Sequence, residues 1–491
     1  MKSTFHAGAK PCEVEHMSIM DRVTSHSIAQ LQQALQAGSL TSEALVRAQL
    51  ARIEHFDEQL NAYVETYPSR ALSAAIAADR QRASGIHLGP LHGIPLAIKD
   101  LFEIDGQAIT GGSVAQQPRV SRVTATAVQR LERAGAIILG KTHTVEFAFG
   151  GWGTNAVMGT PWNPWDRNVH HAPGGSSSGS AVAVASGLAS AALGTDTGGS
   201  VRIPAGMCGL VGLKTTRGLI SRHGLIELCP SLDSVGPITH TVEDAAWMLD
   251  ALLGPDPLDP VSAQAPVFSA ANGLNKPVAG LRIWVLPQAE RAHVAPGVLK
   301  AYDLGLEQLA ALGVQLIEQS LPTTLEQCMR IAGGLMSAEG YASLGSLFER
   351  DDLRFDPHVQ RRILSGRDID AASYIQLHNQ RRAARHAMQE AMTNIDACVF
   401  PTNAIGSVPL DEVDEYGTPL ALLGRFANLL NLCSVAVPIG FDEKGMPVSM
   451  QIVGRAFAEP LILRIGYAYQ QVSDWHTLRP EGWALADKAV A

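Results

Sequence analysis

Aromatic residues make up only 5% of this 491-residue chain, and charged residues only 17%. Runs of basic residues are absent and the formal charge is −9, which argues against a nucleic-acid surface or a basic membrane patch. The longest weakly polar stretch, residues 181–193, is too short and too rich in serine and glycine to span a bilayer. Residues 1–20 mix charges, histidine and proline without an apolar core, so no secretory leader is expected there. Six cysteines (Cys12, Cys208, Cys229, Cys328, Cys398 and Cys433) share no CxxC spacing and join no histidine cluster. Such a pattern speaks against zinc and for reduced thiols in a cytoplasmic protein. None of them sits in a glycine loop with a basic neighbour, which leaves a cysteine nucleophile without support. Internal repeats and low-complexity stretches are also missing.

Against these absences stand a hydrophobic content of 46% and 46 glycines. The first calls for a large buried core. From residue 85 onward, short apolar runs alternate with helix-like segments. Strands are expected at residues 94–98, 136–139, 210–213, 280–286, 397–400 and 450–453. Helices are expected at 27–36, from 41 or 42, and at 71–83, 124–133, 242–253, 296–312, 324–348 and 371–394. This alternation predicts an α/β fold, with a mixed, mostly buried sheet covered by helices on both faces. One large domain over residues 24–491, its core about 85–245, is expected behind a tail at residues 1–23.

The densest signal lies at residues 174–204. Gly174-Gly175-Ser176-Ser177-Ser178-Gly179-Ser180 and Gly194-Thr195-Asp196-Thr197-Gly198-Gly199-Ser200 are two glycine loops. The small residues 181–192 between them read as one thin, buried helix. Gly175-Ser176-Ser177-Ser178-Gly179 also fits the G-x-S-x-G elbow of α/β-hydrolases, with Ser177 as nucleophile. That motif needs a strand before it. Here Trp162-Asn163-Pro164-Trp165 and His170-His171-Ala172-Pro173 form a loop, so the elbow fails on context. A phosphate-binding P-loop fails too, because no Gly-Lys-Ser/Thr follows the glycines. Alone, either loop reads more readily as a structural turn than as a site. Lys99, Lys141 and Lys214 each end an apolar strand, and composition does not single out one of them. His170, His171, Trp152, Trp162 and Trp165 read first as loop packing, and second as pocket wall.

Taken together, the motifs are more specific. Gly93-Ile94-Pro95-Leu96-Ala97-Ile98-Lys99-Asp100, the two glycine loops with Val201-Arg202-Ile203-Pro204, and Gly209-Leu210-Val211-Gly212-Leu213-Lys214 resemble the amidase signature family. So do Leu232-Asp233-Ser234-Val235-Gly236-Pro237 and, near the end, Gly445-Met446-Pro447-Val448-Ser449-Met450-Gln451. The resemblance covers roughly residues 24–472. Thr215 stands where the family usually has proline, and Val201 where it often has isoleucine.

That resemblance implies an α/β hydrolase of carbon–nitrogen bonds with a Ser–cisSer–Lys triad. Ser200 would be the nucleophile, Ser176 the bridging serine, cis to Gly175, and Lys99 the base. Main-chain N–H groups of Thr197, Gly198, Gly199 and Ser200 would form the oxyanion hole, and Asp196 and Arg202 would hold that loop rather than react. No metal or organic cofactor is implied. The expected partner is a small-molecule amide, carbamate or urea, with no nucleic acid and no membrane, and a homodimer is left open. Phe149, Trp152, Met336 and Tyr341, with Gly174 and Gly175, are the candidate pocket residues. They lean the substrate toward an aryl or otherwise hydrophobic group. The alternatives are the glutaminase-type A subunit of a tRNA-dependent amidotransferase, and a silent family member acting in binding or assembly.

Overall fold

Eleven strands build one mixed sheet: β1 (Tyr63–Thr66), β2 (Pro95–Lys99), β3 (Ile137–Thr142), β4 (Ala191–Asp196), β5 (Val211–Lys214), β6 (Ser234–Thr239), β7 (Arg282–Val285), β8 (Gln315–Glu318), β9 (Ala397–Pro401), β10 (Cys433–Phe441) and β11 (Pro447–Gly454). Their spatial order is β1-β3-β2-β4-β6-β5-β10-β11-β9-β7-β8. The computed structural model describes residues 23–116, 119–417, 419–483 and 485. Of the expected tail only Val23 falls within them, and Cys12 lies outside.

The strands at the sheet's centre are buried on both faces. Every residue of β2, β3, β4, β5 and β6 is buried, which is why β2, β3 and β5 read as short apolar runs and not as alternating ones. Alternate side chains still enter different cores. Leu96, Ile98, Ile138, Ala191 and Leu193 pack into one cluster, with helices Ile28–Gln36 and Val242–Leu252. Ala97, Ile137, Leu139 and Ala192 pack into another, with helices Ser42–Leu60 and Ser178–Ala185. Helices therefore cover both faces of one α/β domain. Among the described residues, no helix is long and apolar enough to cross a membrane.

Sequence and structure part company in several places. The expected helix at 181–192 is two elements: helix Ser178–Ala185, a turn, then β4 from Ala191. An unbroken run of small apolar residues carries neither a 3.6 nor a 2.0 period, so it cannot mark where helix gives way to strand. β6 is hidden in the sequence because Gly236 and Pro237 sit in its middle, both poor strand formers. β1, β8 and β10 and helix Pro357–Leu364 were also not foreseen.

The arrangement of three strands positions the site. β2 and β4 run parallel, with Ile98 opposite Leu193, so Lys99 and Thr195 emerge at the same end. β6 runs antiparallel to β4 with Ser234 opposite Asp196. Asp233 is thereby brought to the loop that follows β4.

Candidate active site

Lys99 closes β2, and its side chain is wholly buried. Its Nζ lies 2.8 Å from Ser176 Oγ and 2.9 Å from Thr195 Oγ1. Burial pushes its pKa down to about 7, with the charges of Asp196 and Asp233 acting the other way. A lysine that is neutral near pH 7 can take a proton from a hydroxyl beside it. Lys141 and Lys214 end their strands differently. Lys141 donates to Ala108 O and pairs with Asp100, and Lys214 donates to Thr215 O and Leu432 O. Of the three, Lys99 is the one that meets a serine.

Ser176 is held from both sides. Its carbonyl accepts from Thr144 Oγ1 at 3.0 Å and from Val145 N–H at 3.2 Å. The Gly175–Ser176 peptide bond is cis. A side chain at Gly175 would lie 2.7 Å from Gly153 N, so only glycine allows this approach. Gly174 N–H and Gly175 N–H donate to Trp152 O and Gly151 O, which places both glycines behind the cleft wall and not on it. Ser177 turns inward. Its Oγ donates to Thr195 O and its N–H to Ser200 O, tying the two glycine loops together.

The loop after β4 wraps around the carboxylate of Asp196. Gly199 N–H donates to Asp196 Oδ1 at 2.8 Å, and Val201 N–H to Oδ2 at 3.1 Å. Gly199 was expected among the oxyanion donors, but its N–H is taken by Asp196, and this corrects that expectation. Among the described residues, the N–H groups of Thr197, Gly198 and Ser200 have no acceptor. Gly199 has φ +123°, a conformation that L side chains rarely adopt. Behind the loop, Arg202 uses all five of its N–H groups. They reach Asp196 Oδ1 and Oδ2, Asn428 Oδ1, Gly424 O and Gln451 Oε1. Burial would raise the pKa of Asp196, yet this guanidinium holds its carboxyl well below the usual carboxylate range. Thr197 Oγ1 donates to Asp233 Oδ1 at 2.5 Å, and burial lifts Asp233 to about 6.

A cleft opens above, with Ser200 in its lining. Phe149, Trp152 and Met336 line it. Tyr341 does not. It lies five positions after Met336 in helix Leu325–Phe348, about 140° round the helix, and bonds Glu349 instead. The expected apolar wall also omits two arginines that line the cleft, Arg362 and Arg425. His170 stacks on Trp162, and Trp165 Nε1 donates to Cys208 O, so this loop is mostly packing. Thr195, Asp233, Asn428, Gln451 and Arg425 were not foreseen at the site. Thr195, Asp233 and Gln451 lie inside the quoted motifs, where nothing local marks them as supports, and Asn428 and Arg425, both on helix Arg425–Leu429, lie in none of those motifs. Among the described residues, no group of three or more His, Cys, Asp or Glu side chains is gathered as a metal site requires.

Comparison with known proteins fits this geometry. The chain is 38% identical over 477 residues to the A subunit of the glutamyl-tRNA(Gln) amidotransferase of Geobacter metallireducens, covering 92% of this chain and 98% of the relative. A chain of a solved structure, described as a vestigial protein complex that reveals the evolutionary origins of an s-triazine catabolic enzyme, superposes with a TM-score of 0.85 at 30% identity, over 91% of this chain and 98% of the other. The peptide amidase of Stenotrophomonas maltophilia superposes at 0.81 and 32% identity, over 93% of this chain and 98% of the other. The sequence model of the Amidase family matches residues 44–463, and the chain belongs to the amidase signature family.

Proposed function

We propose that this chain hydrolyses the C–N bond of a small amide through an acyl-enzyme on Ser200. The observation that carries the reading is the buried Lys99–Ser176 contact of 2.8 Å beneath a cleft that Ser200 lines. Ser200 Oγ attacks the amide carbonyl. As it does, its proton passes to Ser176, whose own proton passes to neutral Lys99, because a hydroxyl both accepts and donates. Negative charge on the carbonyl oxygen meets the open N–H groups of the 197–200 loop, each such donor contributing about 3 kcal/mol in the transition state. The protonated relay then gives a proton to the departing nitrogen. Water attacks the ester, and Ser200 is released with the acid product. Asp196 and Arg202 keep the loop in shape, and the chemistry needs no metal.

Where this activity is exercised, the relatives favour a multi-chain setting over a stand-alone aryl amidase. The amidotransferase relative matches along almost its whole length, and one of the solved neighbours is described as a protein complex. In that setting the chain would release ammonia from glutamine beside partner chains.

The test is turnover of an amide panel, read as ammonia from glutamine and other primary amides and as aniline from anilides, by wild type and Ser200→Ala, alone and with candidate partner chains. Amide turnover lost in Ser200→Ala supports the chemistry. Glutamine turnover only with partners supports the multi-chain setting, and efficient anilide turnover alone overturns it.

A further inference from the structure

Most buried guanidinium groups near the site are fully engaged. Arg202 has five acceptors. Arg362, at the cleft, donates to Glu415 Oε2 and O and to Phe149 O. Glu415 is held further by Thr154. Arg425 differs. Its Nε is buried without a hydrogen-bond partner. Among the described residues it forms no ion pair, while its side chain lines the cleft beside Ser200.

Its position is fixed even though its charge is not met. The stem packs on the oxyanion loop, so that a Cβ at Gly198 would lie 3.1 Å from Arg425 Cγ and 3.5 Å from Nε. Nη1 reaches to within 3.6 Å of the corresponding point at Gly333, on the helix that carries Met336. Burial, with Arg362 next, brings its pKa down to about 10, so it stays charged at neutral pH. A buried guanidinium without an anion is costly, and the protein supplies none here. Arg362 cannot lend its counter-ion, since Glu415 is already bonded to it. Among the described residues lining the cleft there is no carboxylate.

We infer that the missing anion belongs to the substrate: the amide carries a carboxylate, and Arg425 is the residue that receives it. Planar guanidinium matches planar carboxylate with two parallel hydrogen bonds, which lysine cannot reproduce. The inference rests on the amide-hydrolase reading and names its substrate class. A carboxylate could come from a free amino acid amide such as glutamine, or from an amide of a dicarboxylic acid without an ammonium group. The cleft walls offer an α-ammonium no carboxylate, so the second source is the better match.

Three five-carbon amides separate these possibilities: glutaramate, which is glutamine without its α-amino group, glutamine itself, and neutral pentanamide. Wild type is expected to prefer glutaramate over pentanamide by about tenfold or more in kcat/KM, the scale of a hydrogen-bonded charge pair. Arg425→Gln should bring that ratio close to one, mainly by raising KM for glutaramate, and Arg425→Lys should recover part of it. The ratio cancels any loss of folded enzyme. If glutamine is the better substrate and depends equally on Arg425, the carboxylate assignment stands with the amino acid as its source. An unchanged ratio in Arg425→Gln, or a wild type that prefers pentanamide, overturns it. Wild type alone gives a second measurement. Glutarate should protect Ser200 from a fluorophosphonate at lower concentration than pentanoate, and equal protection overturns the inference. A Ser200 that takes no label at all strikes instead at the amide-hydrolase reading beneath it.

Discussion

Thr195 Oγ1 lies 2.9 Å from Lys99 Nζ, on the strand that runs parallel to the lysine's own. With Ser176 on its other side, Lys99 is held at two points in a pocket that excludes water. Removing the hydroxyl with Thr195→Val frees the lysine to rotate away from Ser176. Positioned proton transfer contributes about 10²–10⁴-fold, and loss of one of two anchors should forfeit part of this. We expect kcat to fall by about tenfold to a hundredfold with KM little changed, measured by steady-state kinetics on any amide that is turned over.

The depressed pKa of Lys99 sets a pH profile. The base acts only when neutral, so activity should rise with pH through about 7 and level off above it. Asp233 raises the lysine's pKa through its negative charge. In Asp233→Asn that charge is gone, the neutral lysine is favoured further, and the acid limb should move to lower pH. Asparagine keeps the acceptor that Leu228 N–H and Cys229 N–H require. A pH series of kcat/KM on both proteins checks this. A limb that moves upward, or does not move, contradicts it.

Gly199 carries its own prediction. Its φ of +123° is strained for any side chain, and an added Cβ would lie 2.6 Å from Ile203 Cδ1. Ile203 is flexible at that atom, so the contact yields before the backbone does. Left-handed strain costs about 1–3 kcal/mol and is relieved by moving the loop. Gly199→Ala should therefore lose activity, by about 10²-fold if one oxyanion donor is displaced. Its melting temperature should fall only modestly. Calorimetry beside kinetics separates the two effects.

The Asp196–Arg202 pair tests stability instead. Arg202→Ala leaves a buried carboxylate without its counter-charge and strips acceptors on Asn428, Gly424 and Gln451 of their donor. Breaking such a pair costs about 3–5 kcal/mol. Chemical denaturation should show a loss of that size, present at neutral pH. It should shrink in acid as Asp196 becomes able to protonate in the variant.

How much of this could be read from the sequence depends on how far apart the partners stand. Lys99, Ser176 and Ser200 were reached through the joint resemblance of their motifs to the amidase signature family, because neither an apolar strand end nor a glycine loop singles them out alone. Their supports were not. Asn428 meets Asp196 from 232 positions away, and Gln451 meets Arg202 from 249. Only the pairing of β4 with β6, and the packing of the segments after residue 419 onto them, brings these groups together. Arg425 was hidden for the same reason, and with it the charge of a cleft that Phe149, Trp152 and Met336 alone had made look apolar. The layered α/β architecture, by contrast, follows from alternating apolar runs and helices, which is local information. Boundaries inside residues 178–196 were lost because small residues suit helix and strand alike.

An activated Ser200 fed by Lys99 stands or falls on covalent labelling. Wild type, Ser200→Ala and Lys99→Ala, each first checked for folding, are treated with a fluorophosphonate and weighed by intact-mass spectrometry. One adduct on wild type that maps to Ser200 is expected, with none on Ser200→Ala and slowed labelling of Lys99→Ala. No adduct on folded wild type, or one that survives Ser200→Ala, would contradict that role for the serine.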